Sequence, residues 1–484
     1  MPTTQTTKDS FYLTTTLPYV NAAPHIGFAL EIIEADVIAR HQREILGTEV
    51  IFNTGTDEHG QKIWEKAVER GLEPQVYCDR WAAKFSELKE MLNLSFDHFI
   101  RTTDDKHVAA AQEFWRRCDK NGDIYKAKYQ IKYCVGCELA KTESELAEGR
   151  CPLHPKQEIE LREEENYFFR FSKYQDKLLE LYEQNPNFVK PKHRLREIQA
   201  FVTAGLEDFS ISRLKSKMPW GIAVPDDNKH VMYVWFDALV NYISTLDWPQ
   251  DQAKFERFWP GIQLAGKDNL RQQSAMWQAM LLSAQLPPSK QILINGFIGV
   301  DGQKMSKSLG NVISPQQLIE RYGIDAARYL LINLGTFGED MDVSFEKLDI
   351  NYNAALANGL GNLCSRVAKM AEQVDLSAST KKPAAPEQYL SLMKNFQLNE
   401  TLNFVLEQIG ETDKFLAEHK PWQKEEQEKK QILAKAVEKI KVIALMLQPF
   451  MPTTAIIINK HFTGQIQAFA AGLFPRIEAA KTSK

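Results

Sequence analysis

At 484 residues, with 44% hydrophobic and 25% charged residues, 24 Gly and 21 Pro, the chain has the composition of a folded globular protein. Disordered, collagenous and small disulfide-stapled classes are excluded, and the length corresponds to roughly three domains of about 150 residues. The 59 basic against 63 acidic residues give a net charge of −4, without the overall basic bias that often marks a nucleic-acid binder. The balance is uneven, however: residues 349–484 hold 17 basic and 14 acidic side chains, a local +3, which leaves −7 over residues 1–348. The polar opening Met1 to Ser10 lacks the apolar run of a secretory signal, and no stretch reaches 18 uninterrupted apolar residues. A cytoplasmic protein without membrane association is expected, and six cysteines in so long a chain do not make a disulfide framework.

Phe11 to Thr16, rich in aromatic and β-branched residues, predicts a strand that runs into a loop holding Pro18, Asn21 and Pro24. Ile32, Ile33, Val37, Ile38 and Ile45 recur at helical spacing over 28–44, and Gly47 marks the stop. Val50-Ile51-Phe52 is a second strand. This β-loop-α-β opening is the unit of doubly wound parallel sheets, whose ligands sit outside the carboxyl ends of the strands. Two loops therefore matter most, 17–27 and 54–60. The layout returns at Ile262 to Ala265, followed by Gly266-Lys267-Asp268 and a helix to about Ala284, and at Gln291 to Ile294, followed by Gly296. The fold class is α/β: a Rossmann-type parallel sheet split by an insertion of residues 119–229. After Leu348 helical periodicity takes over, as in Leu402, Val405, Leu406 and Ile409, and predicts a C-terminal α-helical bundle.

The insertion carries Cys134-x-x-Cys137, then thirteen residues, then Cys151-x-x-His154. Three thiolates and one imidazole in two close pairs supply a complete tetrahedral set for a structural zinc, with no coordination position left for water. His25-Ile26-Gly27 lies in the first loop, directly ahead of a helix whose free N–H groups favour phosphate. Lys304-Met305-Ser306-Lys307-Ser308 follows the last sheet strand, and its two lysines, three residues apart, make a cationic clamp suited to a triphosphate whose charge rises in a transition state.

Pro24 to Gly27 and Lys304 to Ser308 resemble the two hallmark motifs of class I aminoacyl-tRNA synthetases. Leu17-Pro18-Tyr19, Gly55 to Gly60, the cysteine cluster, Glu164 to Phe169, Trp235 to Ala238 and Gly266 to Asp268 are similar, in this order, to the methionyl-tRNA synthetase family. The resemblance implies a catalytic domain of residues 1–118 and 230–300, a zinc-knuckle insertion at 119–229, a lysine-loop and stem-contact region at 301–348, and an anticodon-binding helical domain at 349–484. It further implies that ATP, with Mg2+, is bound by His25, Gly27, Glu31, Asp268, Lys304 and Lys307, with His25 and the two lysines catalytic. L-methionine would be held by Asp57 at its ammonium and by Leu17, Tyr19, Trp235, Ala238, Tyr242, Gln273 and Trp277 around the side chain. Asn362, Arg366 and Trp422 would read the anticodon of tRNA(Met).

Two positions depart from the family. The first hallmark normally ends in a second histidine, and here the residue is Phe28, which cannot donate to phosphate. Many relatives carry a pocket histidine where this chain has Gln273. The chain ends at Lys484 without the extra C-terminal domain of some relatives, so a monomer is expected. Leucyl, isoleucyl or valyl specificity would bring a large editing insert, whereas the insertion here is mostly the knuckle and its surroundings. A non-catalytic tRNA-binding paralogue would keep Asn362, Arg366 and Trp422; the intact Lys304 to Ser308 motif, Asp57 and Trp235 weigh against it.

Overall fold

The computed structural model describes residues 9–137, 139–141, 146–305, 310–372, 374, 376 and 383–478. Six parallel strands form the central sheet: β1 (Ser10–Thr14), β2 (Glu49–Thr56), β3 (His98–Arg101), β4 (Val189–Lys190), β5 (Ile262–Gly266) and β6 (Gln291–Asn295). Their spatial order is β3-β2-β1-β5-β6-β4, with Phe11 beside Val50 and Leu13 beside Ile262. Connections leave β1 towards β2 on one side and β5 towards β6 on the other. The β1/β5 boundary is therefore the switch point of the sheet, where its loops diverge and leave a crevice.

Strands buried on both faces read as apolar runs, and Leu13, Phe52, Leu264 and Ile292 to Ile294 are all buried. One face packs under Phe114, Trp115, Trp248 and Trp277. The other carries α1 (Ile26–Arg40), and its core continues without a break into the C-terminal helices. Helix α1 is apolar on every side because it is covered on every side; even Glu31, Glu34 and Asp36 are buried in it. It begins two residues earlier than its periodicity predicts, because His25 caps it, and it widens into a π-helical turn over His41–Ile45.

The insertion is built on the strands Ile124–Cys134 and Glu160–Phe169, paired antiparallel from Ile124 beside Phe169 to Tyr133 beside Glu160. The cysteine-bearing turns sit at the far end of this ribbon. One strand within residues 119–229, β4, belongs to the central sheet itself and pairs with β6. Two residues are too few to leave a periodicity in the sequence. Beyond the sheet come α2 (Gln61–Glu69), α3 (Ile324–Ile332), α4 (Asn362–Ala371), α5 (Leu398–His419), α6 (Glu426–Leu447) and α7 (Pro452–His461). No described helix is long and apolar enough to cross a membrane.

Catalytic and helical portions are joined by a charge with no exposed surface. Arg328, in α3, places Nη2 2.7 Å from Asp36 Oδ2 in α1, and both side chains are fully buried. Arg328 also donates from Nε to Phe450 O and from Nη2 to Pro449 O, both at 2.9 Å, and from Nη1 to Leu92 O at 3.1 Å. Asp36 receives Arg40 Nε at 2.8 Å and both Ser95 donors at 2.6 and 2.7 Å. Burial alone would push the Asp36 carboxyl up, but Arg328, Arg40 and Ser95 overcome it and hold the group below the usual carboxylate range. Stability from this pair is present above about pH 4, the ordinary aspartate value, and is lost as pH falls through the lowered folded-state value. Removing one partner of such a pair costs about 3–5 kcal/mol. Arg328→Met is expected to lower the urea midpoint accordingly, and Arg328→Lys, lacking the planar fork, to recover only part.

Candidate active site and metal-binding cluster

His25 occupies the cap of α1 in extended backbone geometry, and its Nδ1 accepts the Gly27 N–H at 3.1 Å. A neutral imidazole whose Nδ1 accepts carries its proton on Nε2; the helix start around it is itself tied down, with Ile26 N donating to Ile313 O at 3.1 Å and Ala29 N to His25 O at 3.0 Å. Gly27 makes the turn possible: a Cβ there would lie 2.9 Å from His25 Cε1 and 3.0 Å from Nδ1. The same position is 3.9 Å from Met305 Cε. Met305 of the second hallmark motif therefore comes close to the first, although about 280 residues separate them in the chain. Lys304 lies in a two-residue strand, Gln303–Lys304, its backbone paired beside Gly299. Lys307, with Ser306 and Ser308, lies outside the described residues. Phe28 is half-buried and packs edge-on against Phe85, with ring centres 5.5 Å apart, so its ring serves the core around the turn.

Glu31 sits one turn further along α1, buried, and accepts from Thr16 N at 2.9 Å and Thr16 Oγ1 at 2.6 Å. Burial pushes its carboxyl up to about 7, against the Thr16 bonds and with help from the neighbouring Asp268 charge. Asp268 folds back over Gly266, where a Cβ would meet its Oδ1 at 2.7 Å. Glu31 and Asp268 thus meet where the loops after β1 and β5 diverge.

Beyond their strands, the chain segments after β1 and β2 stay paired: Asp57 N donates to Pro18 O at 3.0 Å and Val20 N to Asp57 O at 3.2 Å, with Tyr19 bridged to Asp57. This fixes Leu17, Tyr19 and the buried Asp57 relative to one another. Trp235 and Ala238 are one turn apart on the short helix Val234–Ala238 and are its partly exposed residues, while Phe236 and Asp237 face inward. Tyr242 and Trp277 are fully buried, with ring centres 6.0 Å apart, and Trp277 stacks on Phe114 at 5.4 Å. Gln273 is buried and donates from Nε2 to the Tyr242 hydroxyl at 2.6 Å.

Three residues that the sequence reading left without a role hold these walls together. His59 Nδ1 lies 3.1 Å from Asp237 Oδ2, both buried, which pins the Asp57 segment to the helix carrying Trp235 and Ala238. Burial pushes the Asp237 carboxyl up, opposed by His59. Glu58, fully buried, takes a two-pronged grip from Arg101 at 2.7 and 2.8 Å. The available signal was their place inside the motifs Gly55 to Gly60 and Trp235 to Ala238, next to the residues that were singled out.

In the insertion, the Cys134, Cys137 and Cys151 Sγ atoms and the His154 ring place four donor atoms all within 4.8 Å of one another. Cys137 Sγ is 3.3 Å from Cys151 Sγ and from His154 Nδ1, and the Cys134 and Cys151 sulfurs are 3.8 and 3.9 Å from that nitrogen. A tetrahedron with metal–sulfur bonds of about 2.3 Å has edges of about 3.8 Å, so these residues can hold a metal ion. Gly136 is required, since a Cβ there would be 2.2 Å from His154 Cγ. Its carbonyl accepts Lys62 Nζ at 2.8 Å, which ties the cluster to α2, the helix directly after Gly60.

In the helical portion Asn362 is exposed, in a polar cavity of about 280 Å³ shared with Asn358 and Arg476. Arg366, one turn on, pairs with Asp413 of α5 at 2.7 Å. Trp422 stands on the tight turn between α5 and α6, 51% exposed, following Lys420 in the left-handed region at φ 47°.

Comparison with known proteins matches this arrangement. The family described as tRNA synthetases class I (M) matches residues 11–158 and 141–368. The methionine–tRNA ligase of Thermosynechococcus vestitus is 43% identical over 91% of this chain and 88% of its own, and that of Thermotoga maritima is 41% identical over 92% and 74%. The structure of Mycobacterium tuberculosis methionyl-tRNA synthetase in complex with methionyl-adenylate superposes with a TM-score of 0.88 at 34% identity, covering 97% of this chain and all of that one. With its switch-point crevice, its two hallmark motifs and its four-donor cluster, the chain belongs to the methionyl-tRNA synthetase family of class I aminoacyl-tRNA synthetases.

Proposed function

We propose that the chain activates L-methionine with ATP and transfers the methionyl group to tRNA(Met), as a cytoplasmic monomer. The observation that carries this reading is the approach of Met305, in the second hallmark motif, to the Gly27 turn of the first. In the first step a methionine carboxylate oxygen attacks the α-phosphorus of ATP, the bond to the β-phosphate breaks and pyrophosphate leaves. The carboxylate is already ionised at neutral pH, so no general base is needed. His25 Nε2–H, Lys304 and Lys307 would stabilise the charge that builds on the phosphates. Glu31 and Asp268 would hold the adenosine end. Asp57 would take the substrate ammonium, and Leu17, Tyr19, Trp235, Ala238, Tyr242, Gln273 and Trp277 the thioether chain, for which aromatic edges are favourable partners.

In the second step a ribose hydroxyl at the tRNA 3′ end attacks the adenylate carbonyl and AMP leaves. Asn362, Arg366 and Trp422 would bind the anticodon, the half-exposed indole serving as a stacking surface. Mg2+ would accompany ATP and neutralise phosphate charge. Three thiolates and an imidazole at tetrahedral spacing suit Zn2+, in a structural role, with Cys134, Cys137, Cys151 and His154 as its ligands.

Methionine-dependent ATP–pyrophosphate exchange without tRNA tests the reading: the chain should catalyse it, and tRNA(Met) binding without any exchange would mark a non-catalytic paralogue. Trp422→Ala should lower aminoacylation about 5- to 150-fold, the worth of one stacked base, and leave exchange intact; equal losses in both would make Trp422 part of the scaffold. Elemental analysis should find about one zinc per chain, and both Cys151→Ser and Gly136→Ala should reduce it. A metal-free, folded and active protein would refute the assignment.

A further inference from the structure

Helices α5 and α6 pack side by side, and their seam opens into a groove of about 420 Å³. Ile443 and Met446, both buried, form its floor, with the half-buried Val442 and Phe415 alongside. His419 steadies the Phe415 ring, with ring centres 4.3 Å apart. The lining follows α6 from Lys435 to Met446, three turns or about 16 Å. That volume suits one small organic molecule, whereas a helix of the same length, about 10 Å across, fills roughly three times as much. The uncharged polar side chains of the wall are turned to their own helix: Thr412 Oγ1 donates to Gln408 O at 2.7 Å, and Gln408 Nε2 to Glu411 Oε2 at 3.1 Å. A nucleobase, which needs partners along its edge, therefore finds little here.

Charge lies only at the rim. Lys435, Lys439 and Lys441 line the groove beside one carboxylate, Glu438, and among the described residues these three ammonium groups have no ion-pair or hydrogen-bond partner. Lysines so placed lay their apolar stems along the groove and keep their charges at the water's edge. An apolar floor under unpaired cations is complementary to a molecule that is apolar along its body and negative at one end. We propose that this groove binds an amphiphilic organic anion of the fatty-acid class, a medium-chain carboxylate whose body lies along Phe415, Val442 and the buried floor and whose head group sits among the three lysines. Burial of the body supplies the affinity, and the lysines select the sign of the head group. The groove uses no residue assigned to methionine activation or to the anticodon, so it stands or falls independently of that reading.

Fluorescence titration of the full chain with dansyl-undecanoate tests the site. Saturable binding of about one probe per chain is expected, displaced by decanoate, whereas decanol, with the same chain length and no charge, should need on the order of tenfold more. Lys435→Glu/Lys439→Glu should weaken the probe on the order of tenfold, and Val442→Glu, which sets a like charge against the ligand body, at least as much. Lys429→Glu/Lys430→Glu makes the same charge change on the same helix outside the groove, and should leave binding within about twofold. Each variant is checked by thermal melting, and should Val442→Glu not fold, the lysine pair decides. Absent or unsaturable binding, equal losses in both lysine pairs, or decanol competing as well as decanoate would overturn the proposal. So would binding to phosphatidylglycerol vesicles without binding of the free acid, which marks a membrane-facing surface, or displacement of the probe by tRNA, which marks the lysines as an RNA contact.

Discussion

A guanidinium with no exposed surface has to find its whole hydration shell within the protein, and Arg328 finds it in three segments at once. Asp36 comes from α1, a carbonyl from the turn at Leu92, and two more carbonyls from Pro449 and Phe450 where α6 hands over to α7. None of these groups can move far without leaving a buried charge or a buried carbonyl unpaired. The helical portion is therefore keyed to the catalytic sheet by direction as well as by contact. Since Asp36 lies on the helix that starts at His25 and carries Glu31, the key fits into the element on which the crevice depends.

A similar economy governs the crevice walls. Residues expected to touch substrate, such as Asp57, Trp235 and Ala238, alternate along the chain with residues that face inward and clamp: Glu58 to Arg101, His59 to Asp237. Each wall is thus a short segment with a working side and an anchored side. The metal cluster adds one more anchor, through Lys62 and the Gly136 carbonyl, at the far end of the same loop and helix.

Much of this was legible in the sequence. Apolar runs and the Gly and Pro punctuation located β1, β2, β5 and β6, because these strands are buried on both faces, and the paired spacing of Cys134, Cys137, Cys151 and His154 located the cluster before its donor atoms were seen together. Strand β4 was not legible, being two residues long. Nor was the Arg328–Asp36 pair: a lone arginine in a helix carries no mark of burial, and its partners lie about 290 residues before and 120 after it. Chain charge misled in the same way. The overall −4 argued against a nucleic-acid partner, whereas an exposed tryptophan on a tight turn in the +3 portion is a local feature that a sum over 484 residues cannot register.

The hydrogen bond from Gly27 to the His25 ring settles a question of timing. An imidazole free in water exchanges its proton between two nitrogens and turns about two torsions. Here the backbone has taken one nitrogen as its acceptor and, in the same act, fixed the plane of the ring. The tautomer and the orientation are selected when the chain folds, before any nucleotide arrives. The entropy of choosing that geometry is therefore a cost of folding and not of any later binding step.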